Sequence, residues 1–239
     1  MTSSFHDTRW TLVSRSRGSE PEARAALSEL CEAYYAPVVA FLRRDGRDED
    51  AARDLAHDFF AKLLVGDAIK GADPLRGRFR TYLLAALKHF AADQRDRALA
   101  AKRGGGVAHV VIDSNACPTS AGLQIEDAGM ALPDAAFDRQ WALTVLARAL
   151  NTLSTEMQDS GKTDAFQKLK PFLSGDGDTP PISEVASEMG VTEDALKMAI
   201  HRMRKRFRDA VKKEISQTVT EPGSVDEEMQ SLMSALRGR

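Results

Sequence analysis

Cysteine is almost missing from this chain of 239 residues. Cys31 and Cys117 stand far apart and match neither a disulfide framework nor metal-ligand spacing, which excludes the stapled secreted class and points to a reducing cytoplasm. The five histidines are scattered, so no metal centre is expected. A basic-then-apolar leader is lacking, and no apolar run is long enough to span a bilayer, so the chain is expected to be soluble and cytoplasmic, without membrane partners. Strong net charge is lacking too. At -2 overall the chain is no general polycation, and its basic residues matter through clustering. The triple glycine Gly104 to Gly106 is not followed by Lys and Ser/Thr, which rules out a phosphate loop. No Ser/His/Asp arrangement or pair of catalytic carboxylates has convincing spacing; His57 beside Asp58 reads as an exposed surface pair. The chain is therefore expected not to be an enzyme, with no catalytic residues and no cofactor.

The most informative stretch is Ile182 to Arg206, ISEVASEMGVTEDALKMAIHRMRKR. Ser183 can cap a short helix ending near Met189, Gly190 supplies a left-handed turn residue, and Thr192 can cap a second helix. Val185, Ala186 and Met189 would face Val191, Leu196, Ala199, Ile200 and Met203. Glu193, Asp194, Lys197, Met198, His201, Arg202 and Lys205 are left outside. This is a helix-turn-helix pattern whose second helix offers a cationic face suited to a major groove. The competing reading is an ordinary helical hairpin with a solvated face. Against it, Lys197, Arg202, Arg204, Lys205, Arg206, Arg208, Lys212 and Lys213 meet the single acid Asp209, more charge than the helix dipole needs.

Earlier in the chain, apolar residues from Ala25 to Leu42 recur at helical spacing, with Pro37 expected to bend the run. Asp45-Gly46 signals a turn, and Asp48 or Asp50 starts a helix burying Ala52, Leu55, Phe59, Leu63 and Leu64 while exposing Asp50, Arg53, Asp54, His57 and Asp58. Gly66 to Gly77 reads as a loop running into Arg76, Arg78 and Arg80. Phe79 among these arginines suits single-stranded DNA, where stacking and phosphate neutralisation act together. A long helix follows, burying Tyr82, Leu83, Ala86, Leu87 and Phe90, with Lys88, His89, Arg95, Arg97, Lys102 and Arg103 outside. Residues 104–133 read as a flexible linker. Asp134 can cap a helix burying Phe137, Trp141, Val145, Leu146, Leu150 and Leu153, in support of the helix-turn-helix. In the tail, 216–239, Met229, Leu232, Met233 and Leu236 form an apolar stripe, and Asp226, Glu227 and Glu228 gather at its start. That amphipathic helix is expected to pack against a DNA-binding part of the chain or to complete the helix-turn-helix core.

The two halves together resemble the extracytoplasmic-function (ECF) sigma factors of bacterial RNA polymerase. Phe79-Arg80-Thr81-Tyr82-Leu83, followed by Lys88, His89 and Asp93, is similar to the family's Phe-Arg-x-Trp-Leu helix. Tyr82 takes the Trp place and His89 the usual Asn place. Asp54-Leu55-Ala56-His57-Asp58-Phe59-Phe60 resembles its Asp-Leu-x-Gln-Glu-x-Phe segment. Thr192 to Phe207 aligns without a gap to Ser-Glu-x-Ala-Val-Lys-x-x-x-His-Arg-Leu-Arg. The resemblance covers most of Leu27 to Ile215.

It implies an all-α fold: a helical promoter-melting domain (1–103, region 2), the linker (104–133), a helix-turn-helix domain (134–215, region 4) and the C-terminal amphipathic helix (216–239). It also implies three sets of contacts. Asp50, Arg53, Asp54, His57 and Asp58 would bind the polymerase clamp. Arg76, Arg78, Phe79, Arg80, Lys88, His89 and Arg95 would engage the −10 element. Thr192, Asp194, Lys197, Met198, His201, Arg202, Arg204, Lys205 and Arg208 would engage the −35 element. Among these, Lys197 and Arg202 suit guanine edges or phosphate, Met198 a thymine methyl, and Arg204, Lys205 and Arg208 the backbone. Core polymerase and promoter DNA are the implied partners, with an anti-sigma factor or a Ser/Thr kinase as further candidates. One departure stands out: the family's Asp-Ala-Glu-Asp is Ala51-Ala52-Arg53-Asp54 here, which weakens the acidic face. No Ser or Thr lies between Ser28 and Thr81, so phosphorylation within that helix cannot restore the charge. The chief alternative is a free-standing helix-turn-helix regulator. A single-strand-binding adaptor is a third possibility.

Overall fold

The structure, a computed structural model, describes residues 21–65, 78–104, 132–173, 179–217 and 224–237. The helix expected near Trp10, the Gly66 to Gly77 loop with Arg76, and nearly all of the expected linker lie outside these residues. Among the described residues every regular element is helical, as expected for an all-α fold.

Three helices come from the first half. Helix α1 (Pro21–Arg44) continues through Pro37 and buries Tyr34, Val38, Phe41 and Leu42, spaced so that all four share one face. It ends at a turn in which Gly46 takes φ 93°. Asp48 then caps α2 (Glu49–Val65), its carboxylate accepting the Ala51 N–H at 2.8 Å. Ala52, Ala56, Phe59, Phe60 and Leu63 form the buried stripe of α2. Helix α3 (Phe79–Gly104) contributes Phe79, Leu83, Leu87, Phe90 and Ala91 to the same core. Ring contacts, Tyr34 of α1 to Phe79 of α3 at 5.4 Å and Phe59 of α2 to Phe90 of α3 at 5.5 Å, lock the helices together.

Helix α4 (Pro133–Asp159) is the hub, packing against α1 and against later helices. Asp134 does not cap it as expected. Pro133 already occupies the first turn, where its missing N–H costs nothing, and no side chain caps the helix start. The buried side chains Phe137, Trp141, Val145, Ala149, Leu153 and Met157 recur every fourth residue. At about 100° per residue such a stripe drifts by about 40° per step, hence about 200° from Phe137 to Met157. The two ends of α4 must therefore face different neighbours. They do: Phe137 to Ala149 belong to the core of α1, α2 and α3, while Leu153 and Met157 belong to a second core.

That second core is closed by α5 (Thr163–Leu169), a 3-10 turn (Lys170–Phe172), α6 (Ile182–Met189) and the first half of α7 (Glu193–Ser216). Leu196, Ile200 and Met203 of α7 lie in it, whereas Val211 and Ile215 return to the first core, and Phe207 touches both. The border between the cores thus runs across α4 and α7. Helix α8 (Ser224–Arg237) lies against α4 and α7, burying Leu232 with Val225, Met229, Ala235 and Leu236 beside it. Met233, expected on its apolar stripe, is exposed. No described helix is long and apolar enough to cross a membrane.

Candidate nucleic-acid interface

Helices α6 and α7 make the expected turn. Gly190 takes φ +64° and ends α6, with its own N–H and that of Val191 closing on the carbonyls of Ser187 and Ala186 at 3.1 and 3.0 Å. A Cβ at Gly190 would meet nothing within 4 Å, so glycine is there for the left-handed backbone and not for space. Thr192 caps α7, its hydroxyl accepting the Ala195 N–H at 3.2 Å. Two expectations differ. Ser183 lies inside α6 and makes no cap, because the helix already starts at Ile182 behind Pro181. Val191 is exposed: the tight turn uses its amide and leaves its side chain outside.

Along α7, Asp194, Lys197, Met198, His201, Arg202, Lys205 and Arg208 fall on one face, each with a neighbour three or four residues away, and all are exposed, as is Thr192 before them. Met198 is 57% exposed, a large apolar side chain held out in the middle of a cationic face. His201, Arg202, Lys205 and Arg208 form no ion pair with another described residue, while Lys197 pairs with Asp194 at 3.1 Å. Arg204 is exposed but committed inward, donating to the Phe172 carbonyl at 2.9 Å and so tying the 3-10 turn to α7. Arg206 is likewise held, by Glu156 at 3.0 Å.

The face expected on α2 is turned to solvent. Asp50, Arg53, Asp54, His57 and Asp58 are all exposed on one side of the helix. The His57 ring lies 5.3 Å from that of Tyr35. Arg53 is held by Glu49, a residue not singled out from the sequence, although its place one turn before Arg53 was the available signal. That pairing draws the unexpected cation toward an acid of its own helix.

The third set is arranged differently. Phe79 opens α3 and is 0% exposed, so it is not presented on a loop as expected. Burial in the apolar core favours the ring over exposure to water, and Tyr34 and Tyr82 flank it there. Arg80 is 9% exposed. Its guanidinium lies over the Trp141 ring, 4.3 Å from the centroid, and donates through Nε and Nη2 to both oxygens of Glu228 at 3.2 Å, with Asp138 on the remaining nitrogen. Burial alone would lower the Arg80 pKa, but Glu228 and Asp138 more than offset it, and the net shift is upward. Arg78 donates to Glu227 and to Glu228, both at 2.9 Å. Lys88 pairs with Asp134, and Arg95 with Asp45 at 2.8 Å. His89 is exposed. The acids that take up these cations, on α8, on α4 and, for Arg95, in the turn after α1, were not assigned to them from the sequence. Only the cluster Asp226, Glu227 and Glu228 hinted at them.

The described residues hold no group of His, Cys, Asp and Glu able to bind a metal. Two surfaces thus lie open, a cationic one on α7 and an acidic one on α2, while Arg78, Arg80 and Lys88 of the third set are engaged by α8 and α4. Comparison with protein-family models, curated proteins and solved structures gives no match.

Proposed function

We propose that this chain is a promoter-specificity subunit of the ECF sigma type, acting in the cytoplasm with core RNA polymerase. In this reading α7 enters the major groove at the −35 element, the acidic face of α2 meets a basic surface of polymerase, and Arg76, Arg78, Phe79, Arg80, Lys88, His89 and Arg95 serve the −10 element. Polymerase does the chemistry, and the chain itself is not an enzyme. The observation that carries the reading is the α7 face. It is capped by Thr192, set at its angle by Gly190, and presents Arg202, Lys205 and Arg208 with Met198 toward solvent. Such a face supplies phosphate contacts for affinity and base-edge contacts for selection.

Transcription in vitro with purified core polymerase on a library of genomic fragments tests the proposal. Initiation at a defined set of promoters, dependent on the chain, is the expected result; no polymerase binding and no initiation would end it. Lys197→Ala and Arg202→Ala should each weaken binding to such a promoter's −35 duplex by about 1–3 kcal/mol, with a shallower salt dependence where the lost contact is to phosphate.

A second reading, a stand-alone helix-turn-helix regulator, is favoured by one observation. Phe79 and Arg80 are buried, and such a regulator has no use for them on the surface. It predicts operator binding by the chain alone at full affinity and no retention on core polymerase.

A further inference from the structure

Three consecutive carboxylates at the start of α8 reach cations on different elements. Asp226 meets Lys212 of α7 at 3.0 Å, Glu227 meets Arg78 just before α3 at 2.9 Å, and Glu228 meets both Arg78 and Arg80. Successive helical residues point about 100° apart, so three in a row can spread across a groove between two helices. The innermost, Glu228, is 0% exposed, a carboxylate taken wholly out of water. Its two oxygens sit in the fork of Arg80 and against Arg78, the geometry in which a guanidinium also receives a phosphate. The apolar grip of α8 is small by comparison: Leu232 is its one large apolar side chain fully buried among the described residues.

We propose that α8 is an autoinhibitory clasp, in which Glu227 and Glu228 occupy the phosphate-binding positions of Arg78 and Arg80 and exclude a nucleic-acid strand until the helix is lifted. This rests on the reading of those arginines as strand contacts, and it adds the device that controls them. The clasp also explains why two arginines meant for a strand are paired here. Arg80 would be costly to leave buried alone, and an internal anion satisfies it, with the half-buried Arg78 beside it, until an external one competes. Lifting α8 takes Glu228 from the guanidinium that lies over Trp141 and leaves Asp138 of α4 as the carboxylate still paired with it.

The test uses the full chain and a fluorescently labelled single-stranded oligothymidine. Anisotropy titrations compare the wild type with Glu227→Gln/Glu228→Gln and with a chain ending at Gln217. Both variants should bind the strand on the order of tenfold more tightly. Their salt slope should be steeper by about 1.4, the contribution of two added phosphate contacts on a single strand. Adding Arg78→Ala to either variant should remove most of the gain. Equal affinity of the wild type and whichever variant folds would overturn the clasp, as would a gain that survives Arg78→Ala, since α8 would then repel DNA only through its overall charge. Retention on core polymerase is measured on the same preparations. Its failure removes the polymerase reading and leaves the strand comparison to stand, whereas strand binding by neither form removes the clasp whatever polymerase does.

Discussion

Arg80 joins three elements by its side chain alone: it belongs to α3, stacks on Trp141 of α4, and is forked by Glu228 of α8. Replacing it with methionine keeps much of the volume but leaves Glu228 as a buried anion with only Arg78 to answer it. Arg80→Met should destabilise the chain by about 3–5 kcal/mol, read from urea denaturation. Adding Glu228→Gln to it should recover a substantial part, because the orphaned charge goes with it. A cost of Arg80→Met below about 1 kcal/mol would mean that the pair is solvated in solution. The residue types of this node were visible in the sequence, but its partners were not. A run such as Arg78-Phe79-Arg80 looks exposed because isolated arginines resist burial. Only the pairing with Glu228, 148 positions away, and with Asp138 of α4 makes burial tolerable.

Short-range grammar was far more legible at the scale of single helices. Gly190 and Thr192 do what their chemistry suggests, as the positive φ and the cap hydrogen bond show. Gly190→Ala should cost about 1 kcal/mol through backbone strain alone, since the added methyl meets open space. Thr192→Ala should cost about 1 kcal/mol through the lost cap, and Thr192→Asp should keep most of it. Thermal melts of the three variants check these values; a large loss in Gly190→Ala would show that the methyl does meet a neighbour. Cap positions misled where proline competed. Ser183 and Asp134 are good capping residues, but Pro181 and Pro133 had already fixed where α6 and α4 begin. Asp134, two places too late to cap α4, is available to pair with Lys88 of α3 instead.

In the whole molecule, Phe137, Trp141 and Val145 share a core with Tyr34, Leu42, Leu83 and Leu87. A chain produced as two polypeptides, 1–103 and 134–239, should therefore reassemble and co-elute through size exclusion, even at high salt, because the contact is largely apolar. Separate elution would show that the shared core does not hold without the covalent connection. This sharing was half legible. The four-residue spacing of the α4 stripe was plain, yet each apolar residue was assigned to the helix-turn-helix, since periodicity says that a face is buried and not against what. The drift of that stripe has a mechanical meaning as well. Helix α4 is a rod about 40 Å long whose two ends are seated in different sockets. The acidic face of α2 and the cationic face of α7 are thereby fixed to one axle. A partner that needs them farther apart must first unseat one end of the rod. Spreading should then come as a single abrupt release with its own rate, and not as a gradual unreeling of tether.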